Sequence, residues 1–119
     1  MNYISTHNSI TRGTAFPLVM QITDLGDLTD GWTITFTMRK DLSSSGNPLR
    51  QYTNEDILNM VVAENKVTIN LSTTDTNAIP ENVKLVYIQL NFTKLIKTVA
   101  TEIYCLEVKP NIIHAETPR

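Results

Sequence analysis

The sequence predicts an all-β domain, an antiparallel β-sandwich of about seven strands, and three observations predict it. Between Trp32 and Arg39 apolar and polar residues alternate, with Trp32, Ile34, Phe36 and Met38 on one side and Thr33, Thr35, Thr37 and Arg39 on the other. That is the pattern of a half-buried strand. Further stretches around Leu18, Ile69, Leu90 and Leu106 repeat the period of two. Turn-forming residues recur roughly every ten positions with no long amphipathic segment between them, which favours strands over helices.

Each element can be justified in order. The segment from Met1 to Arg12 is polar, with Tyr3, Ile4 and Ile10 as its sizeable apolar side chains, and reads as a short edge strand or an arm. Arg12-Gly13-Thr14 turns the chain into a strand carrying Phe16, Leu18, Met20 and Ile22. Pro17 lacks a backbone donor, so this strand begins at an edge or with its N–H side unpaired. Residues 24–31 carry two glycines and three aspartates and form a connection into Trp32. Lys40 to Pro48 has loop composition, Leu49 to Tyr52 adds a short strand, and 53–58 suits a helical turn capped by Thr53 or Asn54.

Met60-Val61-Val62 and the alternating Val67, Ile69 and Leu71 form a hairpin around 63–66. Ser72 to Pro80 reads as a capped helical turn crossing between the sheets and stopped by the proline. Leu85 to Phe92 is a central strand, with Ile88, Leu90 and Phe92 on one face and Leu85, Tyr87 and Gln89 on the other. Lys94 to Lys97 turns into a final strand in which Tyr104, Leu106 and Val108 face alike before Pro110. The predicted core is Phe16, Leu18, Met20, Ile22, Trp32, Ile34, Phe36, Met38, Val67, Ile69, Leu71, Ile88, Leu90, Tyr104, Leu106 and Val108. The whole of 1–119 is expected to be one domain, with 1–10 and 111–119 as candidate arms.

Composition narrows the function. The chain of 119 residues has 10 Lys and Arg against 12 Asp and Glu, a formal charge of -2, which gives no concentrated basic surface for nucleic acid or an anionic membrane. Lys84, Lys94, Lys97 and Lys109 read as solubilising charges. Cys105 is the single cysteine, so no disulfide forms within the chain, and its neighbours Tyr104 and Leu106 suggest a buried structural thiol. The N-terminus has neither the basic region nor the apolar segment of a signal peptide, so the product is expected to stay in the compartment where it is made.

Groups for chemistry are sparse. His7 and His114 lie near opposite ends in polar contexts and read as exposed imidazoles. Asp24, Asp27 and Asp30 are spaced by three, unlike the alternate spacing of a calcium loop, and read as turn formers. Glu55 with Asp56, or Glu102 with Glu107, would be candidate acid pairs, but nothing fixes their separation. Ser43 to Ser45 lack a glycine-flanked nucleophile setting. The acceptor-like tripeptides at Asn70 and Asn91 have no secretory context. No catalytic, cofactor-binding or metal-binding residue is predicted, and no small-molecule substrate is expected.

A resemblance adds to this reading. The runs from Arg12 to Asp24, Trp32 to Lys40 and Val67 to Thr76, continued by Val86 to Leu90 and Ala100-Thr101 to Val108, resemble a small immunoglobulin-like domain of tailed bacteriophages. They are similar to the N-terminal domain of the upper baseplate protein family of siphophages. The glycine that usually precedes the strand containing Tyr87 in that family is replaced here by Pro80-Glu81-Asn82-Val83. The resemblance implies an immunoglobulin-like sandwich and a non-enzymatic virion component of the tail, baseplate or neck, made in the host bacterial cytoplasm. Its partners would be other virion proteins or copies of itself. Tyr3, Ile4, Ile10, Tyr52, Ile112 and Ile113 are the expected interface residues, because sheet edges and terminal arms can add strands to neighbours. A capsid decoration protein is one alternative. The other is a carbohydrate-binding module for host recognition, using Tyr52 and Tyr3 as an aromatic platform.

Overall fold

Pairing of the alternating segments produces two facing sheets in the computed structural model, which describes residues 3–5, 9–42, 46–101 and 103–110. The first sheet has the order β1-β3-β7-β6, from β1 (Tyr3–Ser5), β3 (Phe16–Ile22), β7 (Lys66–Leu71) and β6 (Met60–Val62). The second has the order β2-β10-β8-β4-β5, from β2 (Ser9–Thr11), β10 (Tyr104–Lys109), β8 (Leu85–Lys94), β4 (Thr33–Arg39) and β5 (Arg50–Thr53), and β9 (Lys97–Ala100) also pairs with β8. Among the described residues one short helix, α1 (Thr73–Asn77), lies in the β7–β8 connection. Chain order and sheet order together make this an immunoglobulin-like sandwich.

Two strands are divided, and that is why ten are seen where about seven are expected. The N-terminal segment is neither one edge strand nor a free arm where it is described. Its first part pairs antiparallel with β3, Tyr3 opposite Ile22, and its second lies parallel to β10, Ile10 opposite Val108. The sandwich is therefore not wholly antiparallel. The final strand is broken too: β9 covers Asn91 to Lys94 of β8, and β10 covers Leu85 to Ile88. Between them Thr101 donates its N–H to the Leu90 carbonyl at 2.9 Å and accepts the Leu90 N–H on its hydroxyl at 3.0 Å. A side-chain oxygen thus replaces a ladder carbonyl and lets the chain step without stranding a buried amide.

Pro17 sits where its chemistry requires. It opposes Asn70, whose N–H is donated the other way, to the Asn59 carbonyl at 2.8 Å. The Pro17 nitrogen therefore faces away from β7, and β1 reaches only to Met20, so the missing donor costs no ladder bond among the described residues.

The buried core between the sheets contains the predicted Leu18, Met20 and Ile22, Trp32, the predicted members of β4, β7 and β8, and Leu106 and Val108. Tyr104 packs against it half-buried, and the Phe16 side chain lies outside the described residues. Ile10, Leu28, Met60, Ile79, Val86 and Phe92 are further core members. Leu28 and Ile79 belong to connections, where no period marks them, and Leu28 is held inward by its N–H bond to the Glu64 carbonyl at 2.8 Å.

The cap on α1 forms as its sequence dictates. Ser72 Oγ accepts from the Asp75 N–H at 3.1 Å, and Asp75 Oδ2 accepts from the Ser72 N–H at 2.8 Å, a reciprocal capping box. Thr76 Oγ1 donates to the Thr14 carbonyl at 2.8 Å, and Arg12 Nε donates to the Ile79 carbonyl at 3.0 Å, which stitches this end of the sandwich together. Residues 53–58 make turns rather than a helix, closed by N–H bonds from Asp56 to Thr53 and from Met60 to Asp56, both 2.9 Å.

Candidate protein interface

Asp27, Asp30, Asp56 and Asp75 are engaged within the fold. Asp27 Oδ1 accepts from the N–H of Thr29 at 2.9 Å and from its hydroxyl at 2.6 Å, and these bonds hold the carboxyl below the usual range. Asp30 pairs with Lys94 Nζ at 3.4 Å, and that ammonium lies 5.5 Å from the Trp32 ring centroid, so Lys94 does more than solubilise. Asp56 Oδ2 accepts the Thr53 N–H at 2.8 Å. Among the described residues no group of three or more His, Cys, Asp or Glu is arranged to hold a metal. His7, His114 and Glu102 lie outside the described residues.

The expected interface residues scatter. Tyr3 and Ile4 contribute backbone to β1, their side chains being outside the described residues, as are Ile112 and Ile113. Ile10 is corrected to a core residue: at 0% exposure its side chain faces the facing sheet, because alternation on β2 points it inward. Tyr52 lies half-buried against the core, and its hydroxyl donates to Asp75 Oδ1. Burial, then the adjacent Asp75 carboxylate, pushes the phenol up to about 12. A phenol so committed offers no open aromatic platform. Arg50 Nε donates to the same Oδ1 at 2.8 Å. Burial would raise the Asp75 carboxyl, but bonds from Tyr52, Ser72 and Arg50 outweigh it and hold it below its ordinary value. This clasp ties edge strand β5 to α1 across the two sheets.

Cys105 is also corrected. It is exposed, because β10 places Leu106 and Val108 inward and the residues between them outward.

Surface apolar side chains form the candidate site. On the outer face of the second sheet, a depression of about 180 Å³ is lined by Thr37 and Arg39 of β4, by Tyr87 and Gln89 of β8, and by Asp41, Leu42 and Ile103. Leu42, Ile103 and Leu85 are all exposed there. At the side of the sandwich a second depression, about 370 Å³, lies between Trp32, Asn54, Met60 and Val62, with exposed Ile57 and Val61 on its rim. The indole Nε1 of Trp32 is buried without a hydrogen-bond partner. At the tip of the β8–β9 hairpin, Leu95 and Ile96 are 93% and 101% exposed, and Leu95 has a left-handed backbone at φ 55°. Sequence reasoning missed these residues, although a signal was present: Leu42, Ile57, Leu58 and Leu95 are apolar residues inside turns and loops, and Leu85 is apolar on the polar side of β8.

No helix among the described residues is long and apolar enough to cross a membrane. No protein-family model matches the sequence, and no curated protein is significantly similar to it. Solved structures do match: the crystal structure of the swine CD8aa homodimer superposes with a TM-score of 0.51 at 13% identity, covering 92% of this chain and 97% of that one. The likeness is one of fold.

Proposed function

We propose that this chain works without catalysis, as a structural component of a tailed-phage virion that acts through protein–protein contacts. One observation carries the assembly part of this reading: large apolar side chains stand in solvent in three patches on the sandwich, while Asp27, Asp56 and Asp75 are engaged in turns and a cap. Clustered exposed apolar surface on a folded domain marks interaction sites. The phage assignment draws support from the sequence resemblance. Tail, baseplate and neck positions, or decoration of the capsid, all use the same kind of contact.

The test is quantitative mass spectrometry of purified particles grown from the genome that encodes this chain. The chain is expected at a fixed ratio to the major tail proteins after washing in high salt. Its absence from particles, with the free protein present in the lysate, overturns the reading.

A further inference from the structure

The tip of the β8–β9 hairpin and the larger of the two depressions lie at one end of the sandwich. Thr33, the first residue of β4, stands opposite Thr93 of β8, so Leu95 and Ile96 project past the start of β4, beside Trp32. Lys94 fixes the placement, because its ammonium lies 5.5 Å from the Trp32 ring centroid and pairs with Asp30. Trp32 also lines the depression, with Leu28, Met60 and Val62. Asn54 Nδ2 donates to the Trp32 carbonyl at 2.9 Å, which brings the turn carrying the exposed Ile57 to the rim. An apolar knob and an apolar hollow therefore stand side by side.

Knob and hollow carry opposite charges. Lys97 follows the tip, and Glu55 lies between the lining residues Asn54 and Ile57. Both are exposed, and neither takes part in an ion pair among the described residues. Their neighbours are committed, Lys94 to Asp30 and Asp56 to the Thr53 N–H. Leu95 holds a left-handed backbone at φ 55°, a conformation that crowds its side chain, and strain of this kind collects where a chain meets a ligand or partner.

We propose that this end pairs with a second copy of the chain, the Leu95–Ile96 tip of each entering the hollow beside Trp32 of the other, with Lys97 against Glu55. A two-fold axis passing between tip and hollow exchanges them, so the contact forms twice and closes on itself, as an isologous interface requires. At about 370 Å³ the hollow spans about a dozen water volumes, room for two aliphatic side chains. Only a few large side chains leave water on each copy, which puts the contact at the small, transient end of specific interfaces. The opposed charges fix its orientation.

This inference deepens the assembly reading by naming a second copy as the partner, and rests on it. Two-dimensional amide NMR on the nitrogen-15-labelled chain, diluted from about 1 mM to about 0.02 mM, tests it. Signals of residues 95–97 and of 54–62 should shift together, with one dissociation constant on the order of 1 mM or below. Lys97→Glu and Glu55→Lys should each raise that constant at least about tenfold, because like charges then meet twice. Both positions are exposed, and the same spectra confirm that the variants fold. An equimolar mixture of the two should recover dimer, since every cross-pair is attractive again. Spectra that do not change with concentration, shifts confined to one of the two segments, or a mixture no more dimeric than its parts overturn the pairing. So does a response of 95–97 to phosphatidylglycerol vesicles alone, which would assign the tip to a lipid surface. Particles that contain a chain monomeric by this measure would sink the pairing alone, whereas absence from particles sinks the broader reading.

Discussion

Removing the Asp75 carboxylate is the sharpest perturbation of the clasp between β5 and α1. The residue is 3% exposed and accepts from Arg50 Nε, the Tyr52 hydroxyl and the Ser72 N–H. Hydrogen bonds to a charged acceptor contribute about 1.5–3 kcal/mol each, and removing one member of a buried pair costs about 3–5 kcal/mol. Arg50 retains 30% side-chain exposure, so water compensates part of its loss. Asp75→Ala should therefore destabilise by about 3 kcal/mol and Asp75→Asn by about 2 kcal/mol, a large share of the margin of a small domain.

Urea unfolding at pH 7 measures this, and pH separates the carboxylate from simple packing. The folded Asp75 carboxyl is held below its unfolded value, so its contribution is complete above about pH 4 and is lost as pH falls through the lowered folded value. The gap between wild type and Asp75→Asn should narrow below about pH 4. Ultraviolet titration adds a second readout: in Asp75→Asn the Tyr52 phenol should ionise at lower pH than about 12, moving only part of the way because burial is the larger cause. A gap at pH 7 smaller than about 1 kcal/mol, or one that stays constant into acid, would refute the reasoning.

Three further outcomes are expected. Phe36→Ala, which empties a fully buried site between the sheets, should cost about 3–5 kcal/mol in urea unfolding. Leu95→Gly should stabilise by about 0.5–1 kcal/mol in thermal unfolding, because glycine accepts the φ of 55° without a Cβ clash; a loss of stability would show that Leu95 packs in solution. Cys105, being exposed, should be labelled by a maleimide in the native protein without denaturant, and protection lifted only by urea would count against its placement.

Period-two alternation made most of the fold legible. Trp32 to Met38 and Val67 to Leu71 announce which face is dry, and Ser72 followed by Asp75 announces the cap, since both signals are written in consecutive residues. The divided strands were not legible, because Ile10 enters one sheet beside Val108, and Thr101 interrupts another, through contacts with residues far away in the chain. Leu28 and Ile79 were hidden for the same reason: a connection has no period, and tertiary hydrogen bonds decide which of its residues turn inward. The surface patches were missed because Leu42, Ile57 and Leu95 stand in segments where composition signals only a turn. Cys105 shows the converse error, in which apolar neighbours at adjacent positions were taken as company when strand geometry sends them to the opposite face.

The parallel seam between β2 and β10 has a mechanical consequence. Its three rungs, Ser9 to Glu107, Ile10 to Val108 and Thr11 to Lys109, are loaded lengthwise when tension enters ahead of Ser9 and leaves beyond Lys109. Shear makes them yield together, where peeling would open them singly. Tethered by its two ends in a strained assembly, the domain would pass the load from the β1–β3 rungs to this latch, which would then resist before the inner strands of the second sheet.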